Sequence, residues 1–239
     1  MADFTIEEIK RYSRQLMLEE VGAEGQIKIK QAKVLVIGAG GLGCPVLQYL
    51  AAAGVGTIGI IDFDKVEIHN LHRQILYTAE DIGKYKAPAA AQKINASNPN
   101  VSCIVFKERL EESNAANIIA QFDIVVDGSD NFLTRYLVND VCLQLNKLLV
   151  YGSILKFEGQ LAVFNYKDSK NLRDIYPEPP NPEDVPSCSE IGVLGFVPGI
   201  IGIYMAGTTI QIILDKYSND GLLLFNFLEF SMIKINIAA

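Results

Sequence analysis

Lys33-Val-Leu-Val-Ile-Gly-Ala-Gly-Gly-Leu-Gly-Cys-Pro45, followed after a helical stretch by Thr57-Ile-Gly-Ile-Ile-Asp62, decides the fold. An apolar run of strand length breaks at a glycine turn, a helix is predicted from about Leu42 to Ala53, and a second apolar run ends on an acid. This is a βαβ unit. Gly38-Ala-Gly40-Gly41-Leu-Gly43 matches GxGxxG after a strand and before a helix, the context in which that pattern has a mechanism. Small residues let the backbone turn tightly and approach a phosphate, and a helix N-terminus offers free N–H groups and the positive end of its dipole. Asp62-Phe-Asp64 follows at about the distance where a carboxylate accepts hydrogen bonds from ribose hydroxyls. On these residues alone NAD and ATP are served equally.

Working outward, strands are predicted over 101–106, 123–127 and 148–153, separated by helices around 87–96, 114–120 and 132–145. After Gly152 the runs 159–165, 222–227 and 232–237 alternate like strands that extend the sheet in antiparallel sense. Thr5-Ile-Glu-Glu8 forms a capping box, and Ile6, Ile9, Tyr12 and Leu16 recur at helical spacing, so an amphipathic helix opens the chain and ends near Val21-Gly22. The expected fold class is α/β: a Rossmann-like mixed sheet, mostly parallel with antiparallel C-terminal strands, and helices on both faces. Residues 1–239 read as one domain, with an N-terminal helix over 1–22, a nucleotide-binding βα region over 33–154 and a crossover loop over 166–190 that holds five of the nine prolines.

Composition excludes several classes. A net charge of −7 lacks the positive field that nucleic-acid binding needs. Two histidines, and four cysteines without a CxxC pair, argue against zinc fingers and disulfide-built folds. Ile191 to Leu214 is uncharged and long enough to span a bilayer, but five glycines, Pro198 and the lack of a flanking cluster of Lys or Arg fit a buried helix better, so no membrane is expected. The polar opening is not a secretory signal, and the expected compartment is the cytoplasm.

Arg73 and Lys86 follow the acidic strand end, where they could neutralise a polyphosphate. A dehydrogenase would more often need an acid/base histidine beside its nicotinamide, whereas both histidines, His69 and His72, fall in this same segment. Asp127-Gly-Ser-Asp130-Asn131 ends another strand at the edge where ligands bind open α/β sheets, and Asp130 could hold Mg²⁺ against phosphates.

Arg11-Tyr-Ser-Arg14-Gln15, the glycine turn with Cys44-Pro45, Asp62-Phe-Asp64, Asn70-Leu-His-Arg73-Gln74, Gly83-Lys84-Tyr-Lys86, Asp130-Asn131, Gly159-Gln160 and Ser187-Cys188-Ser-Glu-Ile-Gly-Val-Leu-Gly195 together resemble the ThiF/MoeB/HesA family. That family is similar to the adenylation domain of ubiquitin-activating enzymes, and the resemblance runs from about Ile9 to the C-terminus. It implies an ATP- and Mg²⁺-dependent adenylyltransferase acting on the C-terminal Gly-Gly carboxylate of a ubiquitin-like sulfur carrier protein, for thiamine or molybdopterin synthesis.

By motif position Gly38, Gly40, Gly41 and Gly43 would cradle phosphates, Arg73 and Lys86 would contact them, and the Asn70, Leu71, His72, Gln74 segment would position them. Asp62 would hold the ribose and Asp130 would place Mg²⁺, with Asp64 and Asn131 as further nucleotide-binding residues. The family's arginine in the opening helix reaches the other subunit's site, which makes Arg14 a trans-acting residue and implies a homodimer. Cys188 stands where some members form a covalent link to the carrier during sulfur transfer, a step that adenylation does not require. Many relatives hold a structural zinc with two CxxC pairs; here the first position reads Asn171-Leu-Arg-Asp-Ile-Tyr176, so zinc is expected to be absent. The sulfur is expected from a separate donor protein. The competing readings are an NAD-dependent oxidoreductase on the same fold and a non-catalytic nucleotide-binding module.

Overall fold

The computed structural model describes residues 4–167, 169–180, 192–218 and 221–236. Eight strands form one sheet: β1 (Lys33–Ile37), β2 (Thr57–Ile61), β3 (Ser102–Phe106), β4 (Ile124–Asp127), β5 (Leu148–Leu155), β6 (Glu158–Phe164), β7 (Gly221–Asn226) and β8 (Ser231–Asn236), in the order β3-β2-β1-β4-β5-β6-β7-β8. The first five strands in this order pair in parallel, and β5 to β8 pair antiparallel. The expected mixed sheet is therefore present, with its parallel half first in the chain.

Helices cover both faces because the strand side chains alternate and both sets are apolar. Val34 and Val36 point into one core with Leu47 and Leu50 of α4 (Gly43–Ala53), Ile94 of α5 (Lys86–Ser97), and Ile201 and Met205 of α9 (Phe196–Ile213). Leu35 and Ile37 point into the other with Ile119 of α6 (Ala115–Ile119) and Tyr136, Val138 and Cys142 of α7 (Phe132–Gln144). The 18-residue α9 is apolar enough to cross a bilayer, yet half of it is buried inside this fold. Cβ atoms added at Gly152 or Gly159 would collide with its Met205 and Ile201, so those glycines let the helix lie close on β5 and β6.

Three expectations need correction. The opening helix is broken into α1 (Ile6–Arg11) and α2 (Ser13–Leu16), and a third helix, α3 (Gly22–Gln31), follows Val21 where the sequence suggested an end. The capping box at Thr5 and Glu8 is formed as expected. In α3 the apolar residues Ile27 and Ile29 alternate with lysines, a spacing that conceals the helix, and only Ile29 is fully buried. The crossover is not all loop, because α8 (Leu172–Ile175) interrupts it. Side chains of α7 hold that segment: Asn139 Oδ1 accepts from Leu172 N at 2.8 Å, and Asp140 pairs with Arg173 at 2.7 Å. Tyr136 also donates its hydroxyl to the carbonyls of Tyr176 and Glu178. Finally, the sequence places Cys44, Cys103 and Cys142 on predicted helices and strands as buried small hydrophobes; Cys44 and Cys142 are buried, but Cys103, on the outer strand β3, is only half-buried.

Candidate active site

The register of the parallel strands assembles the site. Ile37 pairs with Ile61 on one side and Asp127 on the other, so the residues that follow, Gly38, Asp62 and Gly128, emerge side by side at the C-terminal edge. A cleft of about 410 Å³ opens there, lined by Gly38, Gly40, Gly41, Asp62, Asp64, Arg73, Gln74, Lys86, Asp130 and Asn131 among others. Five separate stretches of the chain thus bring their predicted residues to one cavity.

The glycine turn is built by close approach. Gly38 has φ of +84°, and a Cβ on it would lie 2.9 Å from the carbonyl of Gly128. A Cβ on Gly43 would overlap the Gly38 carbonyl, while one on Gly40 would meet only Gln74 Nε2, at 3.7 Å. No side chain caps the N-terminus of α4, which leaves its first N–H groups directed at the cleft. Asp62 is the tie that fixes the turn: Oδ2 accepts from Ala39 N and Oδ1 from Asp64 N, both at 2.8 Å. Burial raises its pKa, and the nearby Lys86 and these two backbone bonds oppose that rise.

The cations approach from one side. Lys86 begins α5, keeps only 8% of its side chain exposed and pairs with the half-exposed Asp64 at 2.9 Å. Arg73 folds back on its own turn, with Nη1 donating to the His69 carbonyl and to His72 Nε2, both at 2.9 Å. A guanidinium can only donate, so His72 Nε2 is the acceptor. Asn70 is buried and spans its turn by accepting from Glu67 N, a structural task. Leu71 is half-buried against the core and does not line the cleft, nor do Asn70 and His72.

On the opposite wall the carboxylate of Asp130 is exposed and Asn131 caps α7 through its bond from Thr134 N. Beneath them lies a group that motif reading passed over. Arg135 is buried, donates to the Ser129 carbonyl at 3.0 Å and to the Tyr151 hydroxyl at 2.8 Å, and lines the cleft. Asp127, wholly buried, has its pKa raised by burial against the opposing pull of Arg135. Among the described residues four side-chain atoms are buried without a hydrogen-bond partner: Gln74 Oε1, Asp127 Oδ2 and Ser129 Oγ lie on or directly under this cleft, and Gln26 Oε1 lies away from it. Each such atom costs about 1–3 kcal/mol, an imbalance that folded proteins concentrate at functional sites. Asp127 and Arg135 carried a signal, the Asp-x-x-Asp-Asn-x-x-x-Arg spacing across a strand-to-helix turn, but nothing in the sequence alone said which of these charges is buried.

Two expected residues stand apart. Arg14 is exposed on α2, with Nη1 3.6 Å from Met17 Sδ, and does not line this chain's own cleft. Cys188 lies outside the described residues. The remaining thiols are poor nucleophiles, since burial pushes Cys44 and Cys142 up to about 12 and Cys103 to about 11. Among the described residues no cluster of three His, Cys, Asp or Glu side chains could hold a metal by itself. A hard cation at this cleft would therefore take most of its oxygens from phosphate and water and one from Asp130, the usual way Mg²⁺ is bound.

The ThiF family profile matches residues 12–239. The sulfur carrier protein adenylyltransferase of Thermus thermophilus is 47% identical over 98% of this chain and 89% of its own length. A probable molybdopterin-synthase adenylyltransferase of Porphyra purpurea and the probable adenylyltransferase/sulfurtransferase MoeZ of Mycobacterium tuberculosis are each 47% identical, and the chain spans 62% and 60% of them. Among solved structures, PaaA superposes with a TM-score of 0.83 at 20% identity, covering 98% of this chain and 75% of PaaA. The E. coli MccB structure with ATP gives 0.83 at 22% identity, covering 95% of this chain and 72% of MccB. At these identities both compare the fold alone.

Proposed function

The chain belongs to the ThiF family, and from that premise we propose that it joins AMP from ATP to the C-terminal Gly-Gly carboxylate of a ubiquitin-like sulfur carrier protein. One observation carries this reading: Arg73, Lys86 and Asp130, from three separate segments, face one cleft whose floor is the glycine turn at the uncapped end of α4. The 47% identity to a sulfur carrier protein adenylyltransferase supports the substrate class, and two of the relatives named above point toward molybdopterin or sulfur transfer.

The chemistry needs little from the protein beyond electrostatics. A carrier carboxylate oxygen attacks the α-phosphorus, the bond from that phosphorus to the bridging oxygen breaks, and pyrophosphate leaves with the electron pair. No general base is required, because the nucleophile is already ionised. The barrier is repulsion between an anion and a polyphosphate, and preorganised cations in a partly dry cleft lower it. Lys86 and Arg73 supply positive charge, the α4 N–H groups hold phosphate oxygens, and Asp62 keeps the turn in shape while offering its remaining lone pairs to the ribose. Lys86 must share its contact with Asp64 when a phosphate arrives, so Asp64 holds the ammonium ready in the meantime. Mg²⁺, held by Asp130, would neutralise phosphate charge when bound with the nucleotide.

The family resemblance makes the active form a homodimer in which Arg14 completes the partner's cleft, and its exposed place on α2, away from its own cleft, leaves it available for that role. No zinc is required in this reading, since α7 already fixes the segment 171–178 through side-chain bonds. Cys188 is assigned to sulfur transfer and not to adenylation, with sulfur from a separate donor. The outer strand β8 leaves Ile233 and Ile235 exposed on one face and Met232 on the other, an apolar edge suited to a protein partner. The test is carrier-dependent exchange of labelled pyrophosphate into ATP. Exchange that depends on a Gly-Gly carrier supports the reading; none with carriers of either the thiamine or the molybdopterin pathway sinks it.

A further inference from the structure

The sheet order dictates where each part of a nucleotide goes. Phosphates belong at the glycine turn after β1 and toward Asp130 after β4, and the ribose carboxylates end β2, so the base must lie on the remaining side, over the end of β3. There the cleft is lined by Phe63, Glu108, Arg109 and Leu110. Phe63, between the two ribose carboxylates, is 42% exposed, and the Arg109 guanidinium lies 4.0 Å from its ring centroid. Among the described residues Arg109 makes no ion pair and no side-chain hydrogen bond, so this stack alone orients it. The turn that carries it is fixed separately: Asn114 donates to Glu108 Oε2 and to the Arg109 carbonyl and accepts from Glu111 N, each at 2.9 Å.

An exposed guanidinium held over an aromatic ring at 4.0 Å, its charge committed to no carboxylate among the described residues, offers a planar group for a second π-system to stack on. We propose that Arg109, backed by Phe63, is the residue on which the nucleobase stacks and that it sets much of this chain's affinity for the base rather than for the phosphates. The proposal rests on the ATP reading above. Glu108, whose carboxylate is engaged by Asn114, is left out of base recognition.

The test separates base from phosphate. Calorimetry with Mg·ATP, and competition by inorganic tripolyphosphate, are measured for wild type, Arg109→Ala, Arg109→Lys and Phe63→Leu. Arg109→Ala is expected to weaken ATP about tenfold, the size of one partly desolvated stacking contact, and to leave tripolyphosphate within about twofold. Arg109→Lys keeps the charge but not the plane and should resemble Arg109→Ala. Phe63→Leu, which removes the backing ring, should show a smaller loss in the same direction. Lys107→Ala serves as the charge control, because Lys107 stacks on Tyr85 outside the cleft at 3.8 Å and should bind ATP like wild type. ATP affinity unchanged in Arg109→Ala, full retention in Arg109→Lys, or an equal loss of tripolyphosphate would each overturn the proposal. If wild type itself bound no ATP, the ATP reading would fall first, and the assay reports that independently of any variant.

Discussion

Gly43→Ala and Gly40→Ala make a paired perturbation of one turn. At Gly43 the added methyl would overlap the Gly38 carbonyl oxygen and stand 2.8 Å from its carbon, both backbone atoms fixed by the β1 register and by the bond from Gly38 N to the Ile61 carbonyl at 2.9 Å. Neither atom can step aside without moving β1 or tilting α4. Overpacking of this kind costs about 1–3 kcal/mol, and a backbone obstacle puts Gly43 at the upper end. Alanine's better helix propensity returns up to about 1 kcal/mol at the first turn. The net destabilisation is about 2 kcal/mol, which for a chain of this size lowers Tm by roughly 4–8 °C. At Gly40 the same methyl meets only a flexible amide at 3.7 Å, so stability should stay within about 0.5 kcal/mol of wild type. That methyl nonetheless stands on the cleft floor, where phosphate must approach, and should raise the KM for ATP about tenfold or more. Urea melts and ATP titration of the exchange rate give both numbers. Gly43→Ala as stable as wild type, or Gly40→Ala losing stability in parallel, would refute this view of the turn.

Three further outcomes follow. Asp81 is 1% exposed; burial raises its pKa, but bonds from Lys93, Thr78 and Lys84 outweigh that and hold its carboxyl well below the ordinary range, so the stability it adds is present above about pH 4 and lost on acidification. Asp81→Asn should therefore cost about 1–3 kcal/mol in melts at pH 7, with the gap closing below about pH 4, and a gap independent of pH would contradict the sign. Arg135→Gln strips the Ser129 carbonyl and Tyr151 hydroxyl of a shared donor and takes the nearby cation from Asp127, so it should raise the Mg²⁺ concentration needed for half-maximal exchange, whereas Tyr151→Phe costs about 1 kcal/mol in melts and leaves that concentration in place. Arg14→Ala and Asp130→Ala proteins, each inactive alone, should regain activity when mixed and allowed to exchange subunits; mixed dimers that stay inactive would remove Arg14 from the partner's site.

The parallel half of the fold was legible because its central strands β1, β2 and β4 are apolar runs ending in glycine or acid, a pattern that both periodicity and turn chemistry support. Predicted and observed limits of β1, α4 and α7 differ by a residue at most. The failures have local causes. Gly22, with φ of +55°, looked like a stop, but it begins α3, and Ile27 and Ile29 alternate as a strand would. The helix α8 is made by side chains of α7 some 33 residues earlier in sequence, a long-range cause that no local window contains. Motif spacing picked out residues that the fold brings to one cleft, Gly38, Gly40, Gly41, Arg73, Lys86 and Asp130, but burial separated the tasks of others: Asn70 ties its own turn, Asp62 ties the glycine turn, and Arg135 holds the Asp130 turn from below. Arg109 belongs to no motif, and only the ring of Phe63 beneath it gives it meaning.

The most direct measurement is the intact mass of the carrier. A Gly-Gly-terminated carrier incubated with the protein, ATP and Mg²⁺ should gain the mass of one AMP at its C-terminus and lose it again when pyrophosphate is added, and a carrier lacking the final glycine should gain nothing. AMP found on the enzyme in place of the carrier, or ATP consumed while every carrier keeps its mass, would contradict the assignment.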